Sequence, residues 1–179
     1  MQRILVMGSS GSGKSTFAQR LSGITGIPMV SLDALFWKPG WMPSEAAEFE
    51  ARVTDAACRP RWIMDGDYIS RAGEIRRRFA DAVIWFDLPR STCMIGIMTR
   101  IATSYGRVRP EMAPGCPEKI DPEFFRYVWT YRQQRRPKLL QYFEGLRPDQ
   151  ALVRFTSRAQ ADRYLADVAS SAAIQASAH

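Results

Sequence analysis

Residues 3–16 read RILVMGSSGSGKST. The run RILVM (3–7) is short and apolar, the pattern of a strand buried on both faces. From Lys14 the chain places Phe17, Ala18, Leu21 and Ile24 on one side of a helix ending near Ile24. Between strand and helix, Gly8, Gly13, Lys14 and Ser15 fit the spacing G-x-x-x-x-G-K-[ST]. Glycines let the backbone wrap an anion with no side chain in the way. Successive N–H groups then point inward, and the helix N-terminus adds its positive end. A flexible Gly/Ser turn would need neither the strand before it nor the helix after it. The loop Gly8, Ser9, Ser10, Gly11, Ser12, Gly13, Lys14, Ser15 and Thr16 is therefore expected to hold nucleotide phosphates. Lys14 would reach the β- and γ-phosphates, and the Ser15 hydroxyl would ligate Mg²⁺.

Downstream, apolar runs alternate with amphipathic segments. PMVSLD (28–33), RWIMD (61–65), AVIWFD (82–87) and ALVRF (151–155) read as four further strands. Helices are expected from about Ser44, where SEAAEF resembles a capped start, over about 91–103, from near Asp121, and over 157–168. Pro137 should break the helix that begins near Asp121. Strands apolar throughout and separated by helices predict an α/β fold: three layers, α/β/α, around a five-stranded parallel sheet. The ligand then lies beyond the carboxyl ends of the strands, where the glycine loop sits. One domain is expected over residues 1–169, with an acceptor-side insert at about 34–60 and a disordered tail at 170–179. SYGRVRPEMAPGCPEK (104–119) is irregular and long for a plain connection, so a lid is expected at about 104–120.

At 179 residues the chain has room for one sizeable core. The apolar stretch at the N-terminus is too short for a secretory signal, and no run approaches the ~20 residues of a membrane helix. A soluble, cytoplasmic protein without a membrane partner is the expectation. Cys58, Cys93 and Cys116 lack paired spacing, and His179 is the only histidine, so neither a zinc set nor histidine catalysis is expected. The formal charge is +7, and apart from Lys14, Lys38, Lys119 and Lys138 every basic side chain is arginine. Arginine's planar fork suits phosphate oxygens, whether of a nucleotide or of a nucleic acid.

Three strands end in aspartate. Asp65, followed by Gly66, is the first candidate for magnesium. Asp33, opening DALFW, is better placed to orient or deprotonate an attacking hydroxyl. Asp87, before Leu88-Pro89, reads as structural. In LFWKPGW, Phe36, Trp37 and Trp41 flank Lys38 and would either stack on a planar acceptor or pack beneath the insert. Arg100, Arg107, Arg109, Arg126, Arg132, Arg135 and Arg136 concentrate in and around the expected lid. TYRQQRR could track nucleic acid, although core packing of Phe124, Phe125, Val128 and Trp129 explains the aromatics more simply. The chain contains no asparagine, which removes the guanine-reading N-K-x-D motif and with it the GTPases.

WIMDGDY, VIWFDLP and TRIATSYGRVR resemble segments of the adenylate kinase and shikimate kinase group of small P-loop phosphotransferases. That resemblance implies the strand order 2-3-1-4-5, with Asp65 behind the magnesium waters, Arg100 stacked on the nucleotide base, and Arg107 or Arg109 at the transferring phosphate. LDALFWKPGWMP lacks the T-G-D motif of adenylate kinases, so AMP is not the implied acceptor, and the lid has no four-cysteine metal set. SSGSGKST, LDALFWKPGW, RPEMAPGCPEK and RYVWTYRQQRRP together resemble, over nearly the whole chain, the bacterial DNA topology modulation proteins of the FlaR type. The expected function is an ATP- and Mg²⁺-dependent phosphotransferase acting on a small hydroxyl- or phosphate-bearing acceptor. Here catalysis is mostly positioning and electrostatics, with Lys14, Asp33, Arg100, Arg107 and Arg109 as its candidates. The alternative is a nucleic-acid-associated nucleotide-binding regulator that affects DNA topology.

Overall fold

A computed structural model describes residues 1–177. The glycine loop joins β1 (Arg3–Gly8) to α1 (Lys14–Thr25). Then follow β2 (Met29–Ser31), α2 (Leu32–Phe36), a small hairpin of β3 (Trp37–Lys38) and β4 (Met42–Pro43), and α3 (Ala46–Ala57). Next are β5 (Trp62–Asp65), α4 (Gly73–Phe79), β6 (Ala82–Phe86) and α5 (Arg90–Ser104). The chain ends with α6 (Pro122–Gln134), α7 (Arg136–Glu144), β7 (Ala151–Phe155) and α8 (Arg158–Ser177).

Five parallel strands form one sheet in the order β2-β5-β1-β6-β7. Counted along this sheet alone, that is the expected 2-3-1-4-5. Side chains of a strand alternate between faces. Leu5, Met7, Trp62, Met64, Val83 and Trp85 accordingly fill one core beneath α2, α3 and α7. Ile4, Val6, Ile63, Ile84 and Phe86 fill the other, with residues of α1, α5 and α8. Both faces are covered, which is why these strands are apolar at every position rather than at every second one. Among the described residues, no helix is long and apolar enough to cross a membrane.

The structure differs from the sequence reading in several places. The second strand stops at Ser31. The Ser31 hydroxyl accepts from the Ala34 amide and starts α2, so Asp33 lies in the first turn of a helix rather than on a strand. Ser44 does not cap α3; its amide donates to Phe36 O instead. The hairpin and α4 have too little apolar periodicity to be read from sequence. The helix at 136–144 starts afresh at Arg136 with Pro137 in its first turn, where a missing N–H costs nothing. α8 runs on to Ser177, correcting the disordered tail expected from residue 170: ADVASSAAIQAS contains neither glycine nor proline, and alanine favours helix. Residues 178 and 179, including His179, lie outside the described residues.

Asp87 follows β6 and is indeed tied into the scaffold. Arg136 grips it through Nε and Nη2, both at 2.9 Å, and Arg154 through Nε at 3.0 Å. Both guanidiniums also lie over the Trp85 ring, at 5.4 and 5.1 Å. Burial opposes ionisation of Asp87, but the two arginines more than offset it and hold its pKa below the usual carboxylate range. The stabilisation is then full above the ordinary aspartate pKa and is lost as pH falls through the lower, folded value. Asp87→Asn should cost about 2 kcal/mol at neutral pH. The gap between the two proteins should narrow below about pH 4. Urea melts across that range check both statements, and a gap independent of pH would contradict them.

Candidate active site

The phosphate-type loop is clamped from three sides. Gly11 has φ 77°, and a Cβ there would lie 2.1 Å from Cys93 O on α5. Opposite it, a Cβ on Gly96 would lie 2.1 Å from Gly11 O. Only two glycines allow α5 and the loop to approach so closely. From the start of α8, Arg158 donates through Nη2 to Gly11 O at 2.8 Å and through Nε to Ser12 O at 3.4 Å. Behind the loop, the Gly8 amide donates to Asp67 Oδ1 at 2.7 Å. α1 then starts at Lys14, so its first N–H groups, which no helix can pair internally, face the loop's mouth.

Asp65 ends β5 in register with Val6 and Ser31. It is only 4% exposed, and among the described residues its buried Oδ1 finds no hydrogen-bond partner. Burial raises its pKa, opposed by the charge of Lys14 and by the neighbouring Ser15 hydroxyl, while Asp33 and Asp67 push the same way as burial. Asp33 accepts from the Tyr68 hydroxyl at 2.7 Å. Burial, and then Asp33, drive the Tyr68 pKa far above the phenol range, so Tyr68 stays a donor. Asp33, Asp65 and Lys14 therefore share one electrostatic neighbourhood at the carboxyl edge of the sheet.

Between α5 and α6, residues 105–121 fold over this edge. Glu118, 5% exposed, accepts from Arg100 on one oxygen at 3.1 and 2.8 Å and from Arg109 on the other at 2.9 Å. Arg109 also pairs with Glu111 at 2.6 Å. The segment docks on the β3–β4 hairpin. Gly40 donates its amide to Gly115 O at 2.9 Å, Trp41 Nε1 to Pro117 O at 3.1 Å, and the Cys116 thiol to Lys38 O at 3.3 Å. Met112, Ala113 and Cys116 bury themselves there against Trp37 and Trp41. A cavity of about 390 Å³ lies between this segment and the loop, lined by Gly13, Lys14, Ser15, Arg100, Arg109 and Arg158 among others.

Of the candidates from sequence, Gly11, Ser12, Gly13, Lys14, Ser15, Thr16, Arg100 and Arg109 line that cavity. Gly8, Ser9 and Ser10 form the base of the loop behind it. Arg107 is exposed and does not line it, because Glu118 draws Arg109 inward instead. Arg100 lies 5.3 Å over the Phe124 ring. Phe36, Trp37 and Trp41 pack against one another, and Lys38 pairs with Glu48 at 2.6 Å. Trp129 is not core: it is 52% exposed and stacks on Arg90 at 4.5 Å. A second hollow, about 460 Å³, surrounds that pair and Arg132, but no residue of the glycine loop lines it. Asp67, Tyr68, Arg158 and Glu118 escape sequence reading, since each meets its partner only through the fold. The second acid of WIMDGDY was the one visible hint.

This architecture, a five-stranded parallel sheet flanked by helices with a glycine loop at the end of its central strand, is a fold found among solved small-molecule kinases. Among solved structures, the chain is similar to a shikimate kinase from Acinetobacter baumannii in complex with shikimate, at 17% identity, 96% coverage of this chain and 94% of that one, with a TM-score of 0.55. It is also similar to a sugar kinase from Janibacter sp. HTCC2649, at 19% identity, 96% and 98% coverage, and a TM-score of 0.50. At these identities the likeness is one of fold. No protein-family model matches the chain, and no curated protein does.

Proposed function

We propose that the chain is a cytoplasmic phosphotransferase that moves the γ-phosphoryl group of ATP to a hydroxyl or phosphate of a small acceptor. In this reading residues 1–169 act as one kinase domain, 34–60 as the acceptor-side insert and 104–120 as the lid. The observation that carries it is the unpartnered, buried Oδ1 of Asp65 beside Ser15 and Lys14 at the mouth of the loop. A buried carboxylate oxygen left without a hydrogen bond is costly unless a ligand meets it. With the adjacent hydroxyl it suits a hard cation that keeps several waters and takes its other ligands from phosphates. Ser15 and Asp65 would hold Mg²⁺, which when bound neutralises charge on the phosphate oxygens.

The backbone of residues 8–16 holds the phosphates, and Lys14 places its ammonium on the outer ones. Arg100 meets the nucleotide base, as the resemblance to small P-loop kinases implies, and Arg109 faces the phosphoryl group in flight. Asp33, oriented by Tyr68, takes the proton of the acceptor hydroxyl as that oxygen bonds to phosphorus and the bond to ADP breaks. The docked segment keeps water from being the acceptor.

The resemblance to DNA topology modulation proteins supports a second reading, a nucleic-acid-associated regulator. The exposed face with Arg126, Trp129 and Arg132 favours it. That face lies away from the phosphate loop, so the kinase reading ranks first. DNA binding at low salt that weakens linearly with log salt would promote the second reading.

The test is a screen of sugars, small alcohols, nucleosides and nucleotides for acceptor-dependent ADP release. Asp33→Asn should lower turnover about 10²-fold while ATP affinity stays within twofold. A wild-type chain that takes up no Mg-ATP would sink the proposal.

A further inference from the structure

Asp65, buried, ends β5, and Asp67, half-buried, lies two residues further on; the two are engaged differently. Asp65 leaves one oxygen without a partner. Asp67 uses both: Oδ1 accepts from the Gly8 amide at 2.7 Å, and Oδ2 accepts from the Tyr131 hydroxyl. With one hydrogen bond on each oxygen, the carboxylate is held in a single orientation between the loop and α6. Its backbone is fixed as well. The fully buried Arg76 donates to Gly66 O at 3.1 Å and to Asp67 O, which holds the turn rigid. Gly8 is the residue at which the central strand becomes the phosphate loop.

Tyr131 sits on α6, the helix that begins directly after the docked segment, capped by Asp121. Along α6 its ring meets Tyr127 at 5.9 Å, Tyr127 meets Phe124 at 6.3 Å, and Phe124 carries the guanidinium of Arg100. An unbroken line of contacts thus runs from a cavity arginine through α6 to the first amide of the loop. Burial first, and then Asp67, raise the Tyr131 pKa well above the phenol range, so the hydroxyl is a donor across the working pH range.

We propose that Asp67 and Tyr131 are positioning residues: they tie the phosphate loop to α6, so that the loop holds its anion-binding shape only while α6 and the segment before it are seated. The inference rests on the phosphotransferase reading in one respect, that the ligand of the loop is a nucleotide. A hydrogen bond to a carboxylate is among the stronger kind, and its loss should be read directly at the loop.

The experiment compares the full chain with Tyr131→Phe and Asp67→Asn, using Mg-ADP calorimetry and amide hydrogen exchange. Tyr142→Phe serves as control, since its equally buried hydroxyl donates to Gly73 O instead. Tyr131→Phe should weaken Mg-ADP about tenfold and speed exchange in residues 8–13, with β6 and α3 unchanged. Asp67→Asn keeps an acceptor for Gly8 and should lose less, and Tyr142→Phe should do neither. The inference is overturned by Mg-ADP affinity and loop exchange within twofold of wild type in both variants. Exchange that rises equally through the sheet, or an equal effect of Tyr142→Phe, overturns it too, because the hydroxyl would then be only a packing element. If wild type takes up no nucleotide, the phosphotransferase reading fails alone, and loop exchange still decides the tie between Gly8 and α6.

Discussion

Lys14→Ala should leave the protein folded and lower ATP-dependent phosphoryl transfer about 10³-fold. Lys14 opens α1 and is half-buried, and its charge acts on both Asp65 and Asp67. Without it, the cations that line the cavity among the described residues are those on Arg20, Arg100, Arg109 and Arg158, and Asp162, Glu118 and Glu111 already engage the first three. The loss falls on the transition state more than on binding, because charge on the departing oxygens grows during transfer. Turnover should drop far more than Mg-ADP affinity, which calorimetry and steady-state rates separate. Lys14→Arg should not restore it: a planar fork cannot take the place of a compact ammonium at the tip of a closed loop. Equal losses in turnover and affinity would show Lys14 to be a simple binding residue.

Gly96→Ala should be a severely damaging single-methyl change in the scaffold. The added Cβ would lie 2.1 Å from Gly11 O and 2.6 Å from Arg158 Nη2. Arg158 can swing aside, but the Gly11 carbonyl cannot, since it belongs to the loop that α5 supports. Either α5 withdraws or the loop deforms. Overpacking of this kind costs about 3 kcal/mol, equivalent to roughly 6–12 °C in Tm for a chain of this size, with nucleotide uptake lost alongside. Gly23→Ala is the matched control, because a Cβ there meets nothing within 4 Å and lies inside α1. Thermal melts of both variants decide the matter, and a Gly96→Ala protein within 2 °C of wild type would show that the loop yields freely.

Much of this fold is legible because the forces that build it are local. ILVM (4–7) and AVIWF (82–86) are apolar at every position, as strands covered on both faces require, and the glycine spacing needs no partner to be recognised. What stays hidden depends on residues far apart in sequence. Asp67 meets Gly8 across 59 positions and Tyr131 across 64, while Arg158 reaches Gly11 across 147. No periodicity marks such pairs. Arg107 and Arg109 look alike in GRVRP, and only the burial of Glu118 selects the second. RAGEIRRRF reads as a charged surface stretch, yet Arg76 within it is fully buried because three backbone carbonyls, of Gly66, Asp67 and Ala72, await its guanidinium.

The seam where residues 105–121 rest on the hairpin has one further consequence. Of the three thiols, Cys58 is exposed, Cys93 lies buried under the glycine loop, and Cys116 is sealed inside this seam. Parting the seam would uncover Cys116 while leaving Cys93, on α5, covered by the glycine loop. With Cys58 replaced by serine, the pace at which an alkylating reagent consumes Cys116 becomes a stopwatch for the flap. A thiol the chain already carries would thus report any opening of this seam.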